Sequence, residues 1–512
     1  MARYSDCLQP KSDVRHAALA ATLLVLIASA RIVSTYTIFN HTVDEPAHLA
    51  AGMEWISAGK YLYEDQHPPL ARIMGALGPY LAGERFYAGP NSYFEGFRIL
   101  GFGAHYDRML ALGRAGILPF FWIASAVVFL WGLRIAGAIG ALASTLFFTN
   151  LPPVLAHAGL ITTDMAVTAF IGAAALASLY WADRPDRRHT IVFGIALGLA
   201  CLSKFSALLF LPVALLLIHR GQLWRRRRSL AAVCAMAFLV IWAGYRFTFA
   251  RVDYLHLHLP APRFFTGIAS VWAHNATGHP SYLLGRRSPT GFRYYYPVVL
   301  AIKTPLAFLA LVIAGCRRFT GAAAFAAAIL ICAFTSRINI GVRHVLPIYV
   351  GLAVIAGSAA ASMLERRATR WILAGLMLWQ IASGALQHPD YLAYTNEITG
   401  AHPENFVADS DLDWGQDMKR LGKRLARAGA TEVTFDPFNK TYATLAGDPF
   451  PRILPDDPDR PAPGWNAVSV TTWKVFGVPK WPDGFPPQER IGRSILLWYF
   501  PNARRPSLPG SR

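Results

Sequence analysis

Charged residues are scarce in this sequence. Aspartate, glutamate, lysine and arginine make up 15% of the 512 residues, whereas 54% are hydrophobic and the mean hydropathy is +0.33. Soluble chains usually carry about a quarter charged residues. This shortage excludes an ordinary soluble globular protein.

Acidic residues are outnumbered by basic ones, 30 against 49, which gives a formal net charge of +19. Such a charge could indicate a nucleic-acid partner. The arginines, however, gather in short loops between apolar segments, at residues 184–188, 225–228, 317–318 and 366–370. This is the positive-inside bias of a polytopic membrane protein, and it argues against nucleic acid.

Apolar residues come in long runs, and several reach the roughly 20 residues that cross the hydrocarbon core of a bilayer. The runs are residues 17–39, 115–133, 135–150, 160–182, 229–249, 297–315, 320–335, 345–363 and 371–387. Residues 191–219 are too short for two full spans and predict a re-entrant or half-length hairpin that turns near Lys204. We therefore expect about eleven transmembrane segments.

The basic loops, taken as cytoplasmic, give one consistent topology. The N-terminus lies inside, and four parts lie outside: about 40–110 (the first outer loop), about 248–296 (the second outer loop), 336–344, and everything after about 388. None of the cysteines falls in these outer parts; they are Cys7, Cys201, Cys234, Cys316 and Cys332. Outer disulfides and an outer cysteine zinc site are therefore excluded.

The chain changes character at about residue 388. Residues 1–388 predict an all-α polytopic membrane domain, whereas residues 389–512 are richer in proline, aspartate and tryptophan and predict a small extramembrane α/β domain. In that second part, residues 416–427 have helical spacing. Three segments read as strands: 432–435, 466–470 and 494–499.

Two carboxylates, Asp44 and Glu45, follow the first apolar run directly. Carboxylates are costly next to lipid, so this pair should face water or a protein cavity. Because Pro46 suits the first turn of a helix, Asp44 could simply cap that helix. The functional alternative is a general base, or a ligand for a cation that neutralises phosphate.

A second motif in the same loop, His67-Pro-Pro-Leu-Ala-Arg72, gives the pair a specific context. An Asp-Glu pair followed by this motif resembles the polyprenyl-phosphate-dependent glycosyltransferases of the GT-C fold. By motif it is most similar to the protein O-mannosyltransferases and the bacterial aminoarabinose transferase of lipid A. Thr162-Thr-Asp164 and the glycine-rich stretch from Gly194 to Lys204 also fit. The resemblance covers the first 220 residues best.

The resemblance implies a GT-C-like fold and transfer of a hexosyl or pentosyl group (EC 2.4 class), inverting, from a polyprenyl-phosphate donor to an acceptor hydroxyl. It assigns the catalytic base to Asp44, with Glu45 positioning either that base or the acceptor. His67 would lie beside the active site, and Asp164 would be the second acidic residue. The implied partners are the lipid-linked sugar, the bilayer and a glycan, lipid or protein acceptor. The implied location is the outer, periplasmic face of a bacterial inner membrane.

The leaving polyprenyl phosphate is an anion, so such a site needs cations near the outer membrane edge. Four basic residues lie at predicted outer edges and are the candidate phosphate partners: Lys204, Lys303, Arg337 and Arg343. Lys303 could instead snorkel to the interface, and Arg343 could pair only with a carboxylate. The three tyrosines at 294–296 predict an interfacial aromatic belt.

A second acidic group follows residue 408 and consists of Asp409, Asp411, Asp413 and Asp417. Alternating acidic residues can mimic a calcium loop, but here the glycine lies at position 415 and no glutamate closes the loop. Capping and loop structure are therefore favoured over metal binding. No metal site is assigned, although a divalent cation at the side chains of Asp44, Glu45, His48 and His67 stays open.

Two other classes of protein compete with the enzyme. Charges within the membrane and a half-length hairpin also occur in secondary transporters, although the acidic and aromatic clusters here lie in outer loops. A catalytically inert member that binds an envelope partner is the third possibility. The enzyme hypothesis predicts that Asp44 faces outward, within reach of Asp164 and of at least one candidate cation.

Overall fold

The computed structural model describes residues 11–316, 320–439 and 450–501. The basic pair 317–318 and parts of the predicted C-terminal domain fall outside these ranges. The described helices are α1 Lys11–Val33, α2 Glu45–Met53, α3 Leu70–Leu81, α4 Ser92–Leu100, α5 Gly103–Ala115, α6 Leu118–Phe148, α7 Pro152–His157, α8 Asp164–Asp183, α9 Arg187–Ser203, α10 Ala207–His219, α11 Arg227–Gly244, α12 Pro262–Thr277, α13 Tyr295–Lys303, α14 Leu306–Gly315, α15 Gly321–Ala333, α16 Ile348–Leu364, α17 Arg367–Leu386 and α18 Met418–Arg427. The described strands are β1 Phe249–Val252, β2 Leu257–Pro260, β3 Ser281–Leu283, β4 Arg286–Ser288, β5 Glu432–Asp436, β6 Arg452–Leu454, β7 Gly464–Ser469, β8 Glu489–Ile491 and β9 Ile495–Phe500.

The long helical stretch α6 is a hairpin of two arms. The backbone leaves the helical conformation at Ala136 and Gly137, and Gly137 takes a positive φ of 68° that suits glycine. The rings of Phe121 and Phe148 stack with their centroids 6.2 Å apart. In a straight helix with a rise of 1.5 Å per residue they would be about 40 Å apart. The separate apolar runs predicted on either side of the bend are these two arms.

Within the described ranges, four helical stretches are long and apolar enough to cross a membrane: Ser12–Val33, Gly103–Phe148, Asp164–Asp183 and Arg227–Gly244. Helices α13 and α14 pass the same test together but are bent by 114°. The single run predicted for 297–315 is therefore broken, because Pro305 cannot donate to the helix ladder and clashes with the preceding turn. Three shorter apolar helices, α10, α15 and α16, accompany them. The count of about eleven segments stays a prediction.

The chain turns at Lys204, where the sequence predicted a turn. Helix α9 ends at Ser203 and α10 begins at Ala207. Helix α9 packs mainly against α8 and α11, whereas α10 packs mainly against α15. The two arms therefore lie in different parts of the bundle and do not close on each other as a hairpin.

The C-terminal part contains a five-stranded sheet in the order β6-β5-β7-β9-β8. Strand β5 pairs in parallel with β6 and β7, and β9 pairs antiparallel with β7 and β8. Helix α18 covers the sheet with the apolar face that its spacing predicted, Met418, Leu421 and Leu425. The predicted helix and the three predicted strands are confirmed to within two residues. Strands β6 and β8 were not predicted, because three residues carry too little pattern.

This C-terminal part packs on the first outer loop. One buried apolar cluster combines Leu49 and Ile99 from that loop with Leu421 and Leu497 from the helix and sheet. The segment of residues 409–417, between α17 and α18, is thereby held against the start of α2. It is called the aspartate segment below.

Candidate functional site

Asp44 precedes α2 but does not cap it. Its side chain makes no capping hydrogen bond. Its Oδ2 lies instead 3.1 Å from Nη1 of Arg343, and 31% of the Asp44 side chain is exposed against 9% of the Arg343 side chain. The cap-only interpretation is therefore wrong, because the carboxylate is open on one side and paired with a nearly buried guanidinium on the other.

The adjacent carboxylate, Glu45, is buried inside the protein and fully hydrogen-bonded. It is fully buried and accepts hydrogen bonds from Nε and Nη2 of Arg114 at 2.9 and 2.8 Å. The backbone N–H groups of Thr42 and Ile161 donate to it at 2.7 and 3.0 Å. Burial alone would raise the pKa of Glu45, but Arg114 and the backbone donors hold it below the usual value. Glu45 cannot reach an acceptor, so of its two expected roles only the positioning of the Asp44 loop fits.

The His-Pro-Pro motif lies beside Asp44. The ring of His67 stands edge-on to that of His48, with centroids 5.0 Å apart, and its Nδ1 lies 3.4 Å from Glu64. Burial, helped by the charge of Lys204 and opposed by that of Asp44, lowers the pKa of His67 to about 4. A neutral His67 therefore lies within electrostatic reach of the expected base and of one candidate phosphate partner.

A second ion pair joins Asp164, the first residue of α8, to Lys204, the residue after α9. Nζ of Lys204 lies 2.7 Å from Oδ1 of Asp164, and the two side chains are 9% and 1% exposed. The other oxygen, Oδ2, has no hydrogen-bond partner among the described residues. The charge of Arg343 also acts on Asp164. The Asp44–Arg343 and Asp164–Lys204 pairs therefore lie within electrostatic reach of each other.

Arg343 is fixed by stacking as well as by charge. Its guanidinium carbon lies 3.8 Å from the centroid of the Trp414 ring, and its Nε donates to the carbonyl of Ile340 at 2.9 Å. A planar guanidinium over an indole face gains a cation–π attraction that a lysine ammonium cannot match in geometry. The guanidinium is thus oriented before any ligand arrives.

The aspartate segment holds this arrangement together. The Trp414 carbonyl accepts a hydrogen bond from the backbone N–H of Val43 at 3.1 Å, directly before Asp44. Oδ1 of Asp411 accepts from the backbone N–H of Val342 at 2.8 Å, directly before the stacked arginine. The segment therefore fastens the residues on both sides of the first ion pair.

The remaining aspartates of this segment also serve structure. Oδ2 of Asp413 accepts from the Ser469 hydroxyl at 2.5 Å and from the Thr471 N–H at 3.0 Å. Oδ2 of Asp417 accepts from the Ser494 hydroxyl at 2.7 Å. Within the described ranges, no three histidine, cysteine or acidic side chains lie together in a way that could hold a metal ion. The hydrogen bonds of Asp411, Asp413 and Asp417 agree with the loop-structural interpretation of these three aspartates.

Two of the four candidate phosphate partners lie apart from this site. Lys303 is 1% exposed, and its Nζ donates to the carbonyls of Leu392, at 2.7 Å, and Asp411. It ties α13 to the C-terminal part, and because it is buried it does not snorkel to the membrane interface. Arg337 is exposed, and no described contact links its side chain to Asp44.

The predicted tyrosine belt is wrong for two of its three members. Tyr295 and Tyr296 are buried, at 1% and 0% exposure, and only Tyr294 is exposed. The Tyr295 hydroxyl donates to Oδ2 of Asp411 at 3.1 Å, and the Tyr296 ring stacks on His344. These two rings therefore pack inside the protein against the aspartate segment and the residue that follows Arg343.

Three residues of the site were missed by sequence reasoning: Arg72, Arg114 and Trp414. Arg114 lies 69 residues from its partner Glu45, and no local spacing connects the two. Arg72 was noticed only as the end of the His-Pro-Pro motif; it is buried and donates to Nδ1 of His48 at 3.0 Å. The only sequence feature that could have indicated Trp414 is its position as an aromatic residue among closely spaced aspartates.

Residues 22–252 match the family described as Dolichyl-phosphate-mannose-protein mannosyltransferase. The crystal structure of ArnT from Cupriavidus metallidurans bound to undecaprenyl phosphate is similar, with a TM-score of 0.52, 14% identity and coverage of 93% of this chain and 97% of that chain. Its apo state gives a TM-score of 0.51 with the same identity and coverage. Archaeal AglB from Archaeoglobus fulgidus, in complex with an inhibitory peptide and a dolichol-phosphate, gives 0.48 at 9% identity, covering 94% and 74%.

The comparison with curated protein sequences gave no match. At 14% identity, the likeness to ArnT shows the fold. The fold agrees with the expected GT-C resemblance, as does the family that the first half of the chain matches. The chain is therefore a multi-pass membrane protein with the GT-C fold of ArnT, and its residues 22–252, less than half of its length, are similar to the protein mannosyltransferase family.

Proposed function

We propose that this protein transfers a sugar from a polyprenyl-phosphate donor to an acceptor hydroxyl at the outer face of a bacterial inner membrane. The observation that carries the proposal is the coupled site of two carboxylate–cation pairs, Asp44–Arg343 and Asp164–Lys204. The sequence predicts all four as candidate site residues. The family of the first half and the undecaprenyl phosphate bound by ArnT support a lipid phosphate as the donor's carrier.

Asp44 is the proposed general base. In an inverting transfer, a carboxylate takes the proton of the acceptor hydroxyl on the face of the sugar opposite the leaving group. The acceptor oxygen forms a bond to the anomeric carbon, and the bond from that carbon to the phosphate oxygen breaks. Asp44 suits this role because it is the partly exposed member of its ion pair, whereas its neighbour Glu45 is fully buried.

Lys204 and Arg343 are the proposed phosphate partners. The leaving polyprenyl phosphate gains charge as its bond to the sugar breaks, and fixed cations stabilise that charge in a partly desolvated site. Lys204 contributes a point charge, and Arg343 offers a planar set of N–H donors. These two side chains supply positive charge of their own, so the proposal needs no metal ion, and chelation with EDTA should leave turnover unchanged.

The decisive experiment compares purified wild-type protein with Asp44→Asn, using undecaprenyl phosphate labelled in an attached sugar. Asp253→Asn is the matched control, because Asp253 is an outer-loop carboxylate that is 98% exposed. We expect Asp44→Asn to lower donor turnover by about a hundredfold or more, in the usual range for a lost general base, and the control to match wild type. Equal turnover by Asp44→Asn would exclude Asp44 as the base. No turnover with any donor and acceptor pair would favour the transporter alternative.

A further inference from the structure

A cleft of about 420 Å³ opens where the end of α17 meets the C-terminal part. Helix α17, the segment after it and the turn between β8 and β9 all contribute to its lining. Five of its lining residues are Trp379, Leu386, Tyr394, Glu397 and Arg493. None of these five belongs to the two carboxylate–cation pairs of the proposed reaction, so that reaction gives the cleft no role.

The cleft opens beside an apolar, exposed side of α17. Trp371 and Leu378 are exposed, and so are Trp379 and Leu386. Because residues seven apart lie on the same side of a helix, these four side chains form one stripe, called the α17 stripe below. On a multi-pass membrane protein such a stripe faces lipid. The basic loop at 366–370 predicts that the opposite end, at Leu386, lies at the outer interface, and tryptophan is enriched at that level.

Arg493 places a cation without a carboxylate partner in the cleft. Its guanidinium has one described hydrogen bond, a long one of 3.5 Å to Oγ1 of Thr395, and no described carboxylate forms an ion pair with it. Three other arginines of the C-terminal part do pair with carboxylates: Arg420, Arg424 and Arg490. Arg493 is only partly buried. Its unused N–H donors therefore suit the oxygens of a phosphate at the membrane surface.

Glu397 places the opposite charge in the same cleft. It is exposed, and its Oε1 accepts a hydrogen bond from the indole N–H of Trp379 at 2.9 Å. The end of α17 also contributes to the lining, through Leu386 and Gln387, and the C-terminal end of a helix carries partial negative charge. Glu397 and Arg493 do not pair with each other, so the cleft can hold a cation and an anion at once.

Tyr394 links these two charges. Its hydroxyl is buried and has no hydrogen-bond partner of normal geometry among the described residues, although Ser383 lies near it. The charges of Glu397 and Arg493 both act on this hydroxyl. Because about nine in ten buried polar groups in proteins are paired, an unpaired hydroxyl in the lining of an open cleft indicates a partner from outside the chain. A hydroxyl can donate to a phosphate oxygen.

We propose that this cleft binds a zwitterionic phospholipid headgroup that carries one phosphate and one primary ammonium, the chemistry of phosphatidylethanolamine. Arg493 and Tyr394 hydrogen-bond the phosphate, Glu397 binds the ammonium, and the acyl chains lie along the α17 stripe. Phosphatidylglycerol offers the same phosphate without an ammonium, so Glu397 discriminates against it. The site goes beyond sugar transfer and does not depend on it. A lipid bound there fastens the C-terminal part to the membrane surface.

The test exposes the purified full-length protein to equal amounts of phosphatidylethanolamine and phosphatidylglycerol with the same acyl chains. Native mass spectrometry then counts the lipid molecules that the protein retains. Arg493→Gln removes the cation, and Glu397→Gln removes the negative charge but keeps an acceptor for the indole N–H of Trp379. Arg427→Gln and Asp253→Asn are the matched controls, because both residues are exposed and neither lines the cleft.

We expect wild type and both controls to retain about tenfold more phosphatidylethanolamine than phosphatidylglycerol, the effect of one charged hydrogen bond. Glu397→Gln should bring the two lipids to nearly equal retention. Arg493→Gln should lower the retention of both lipids about tenfold. Ala382→Trp fills the cleft without changing a charge and should also lower the retention of both.

Three results would overturn the proposal. The first is equal retention of the two lipids by wild type. The second is an unchanged preference for phosphatidylethanolamine in Glu397→Gln. The third is retention at the wild-type level in both Arg493→Gln and Ala382→Trp, which would place the retained lipid outside the cleft.

Discussion

The carboxylate of Asp44 and the guanidinium of Arg343 lie 3.1 Å apart although 299 residues separate them in the chain. The pair joins the first outer loop to the loop before α16. Trp414, from the C-terminal part, stacks on the same guanidinium. Three distant parts of the sequence thus meet at one proposed catalytic group.

Arg343→Met should lower turnover by about a hundredfold, in the range seen when a fixed electrostatic donor is removed from a transition state. Arg343→Lys should recover only part of the loss, because lysine keeps the charge but not the planar contact with Trp414. Steady-state kinetics with a labelled polyprenyl-phosphate sugar measure both. Full activity of Arg343→Met would show that the pair with Asp44 is not needed for the reaction.

Trp414→Leu should lower kcat more than it raises the KM for the donor, because it releases the orientation of Arg343 without removing a charge. Trp414→Phe should restore much of kcat, since a ring face remains under the guanidinium. Trp481→Leu is the matched control: Trp481 is also a buried tryptophan of the C-terminal part, but it packs on Trp498. Equal losses of kcat in Trp414→Leu and Trp481→Leu would show that Trp414 contributes only to folding.

Substitutions of Lys204 and Lys303 should have different effects on the binding of undecaprenyl phosphate. Lys204→Gln should weaken binding of undecaprenyl phosphate about tenfold or more, because it removes a charge-assisted contact. Lys303→Met should leave that affinity unchanged and lower the unfolding temperature, since its Nζ bonds to the carbonyls of Leu392 and Asp411. Affinity is read by lipid binding in nanodiscs and stability by thermal unfolding. The reverse pattern would place the phosphate near α13.

Glu45→Gln should destabilise the protein by about 3–5 kcal/mol, the usual effect of breaking a buried ion pair from one side. Its carboxylate is fully buried against Arg114. The double variant Glu45→Gln with Arg114→Met should be less destabilised than the sum of the single variants, because neither partner is then left as an isolated buried charge. Additive effects would contradict a direct coupling of the two side chains.

Acid should destabilise the outer part of the protein through His41, which is buried, and His67, which is partly buried. Burial lowers the pKa of His41 and that of His67 from 6.5 to about 4. Between these values the unfolded chain binds protons that the folded chain does not, so the free energy of unfolding is largest above pH 6.5 and falls as pH drops toward about 4. Thermal unfolding across this window checks the sign. His41→Gln should give a shallower slope than wild type, and parallel slopes would contradict the assignment.

Much of the fold could be predicted from composition and spacing. The bend at Ala136–Gly137 agrees with two separate apolar runs, and the turn at Lys204 agrees with a short segment between two basic loops. Pro305 could have predicted the break at Thr304–Pro305. The run 297–315 is apolar throughout, however, and its hydropathy predicted a single span. Local pattern predicts helices and strands well where a run is long, and it fails for strands of three residues such as β6 and β8.

The sequence alone determined which residues lie at the outer ends of the membrane helices, because the length of an apolar run decides where it ends. Run length and the basic loops placed Lys204 at a predicted outer edge, whereas the resemblance to the GT-C family selected Asp44, His67 and Asp164 as candidates. Only the tertiary structure decided what each side chain does. Glu45 is buried and can only position its neighbours. Lys303 donates its hydrogen bonds to backbone carbonyls. Trp414, in the aspartate segment, stacks on the guanidinium of Arg343. These outcomes depend on contacts between residues far apart in the chain, and no local periodicity encodes such contacts.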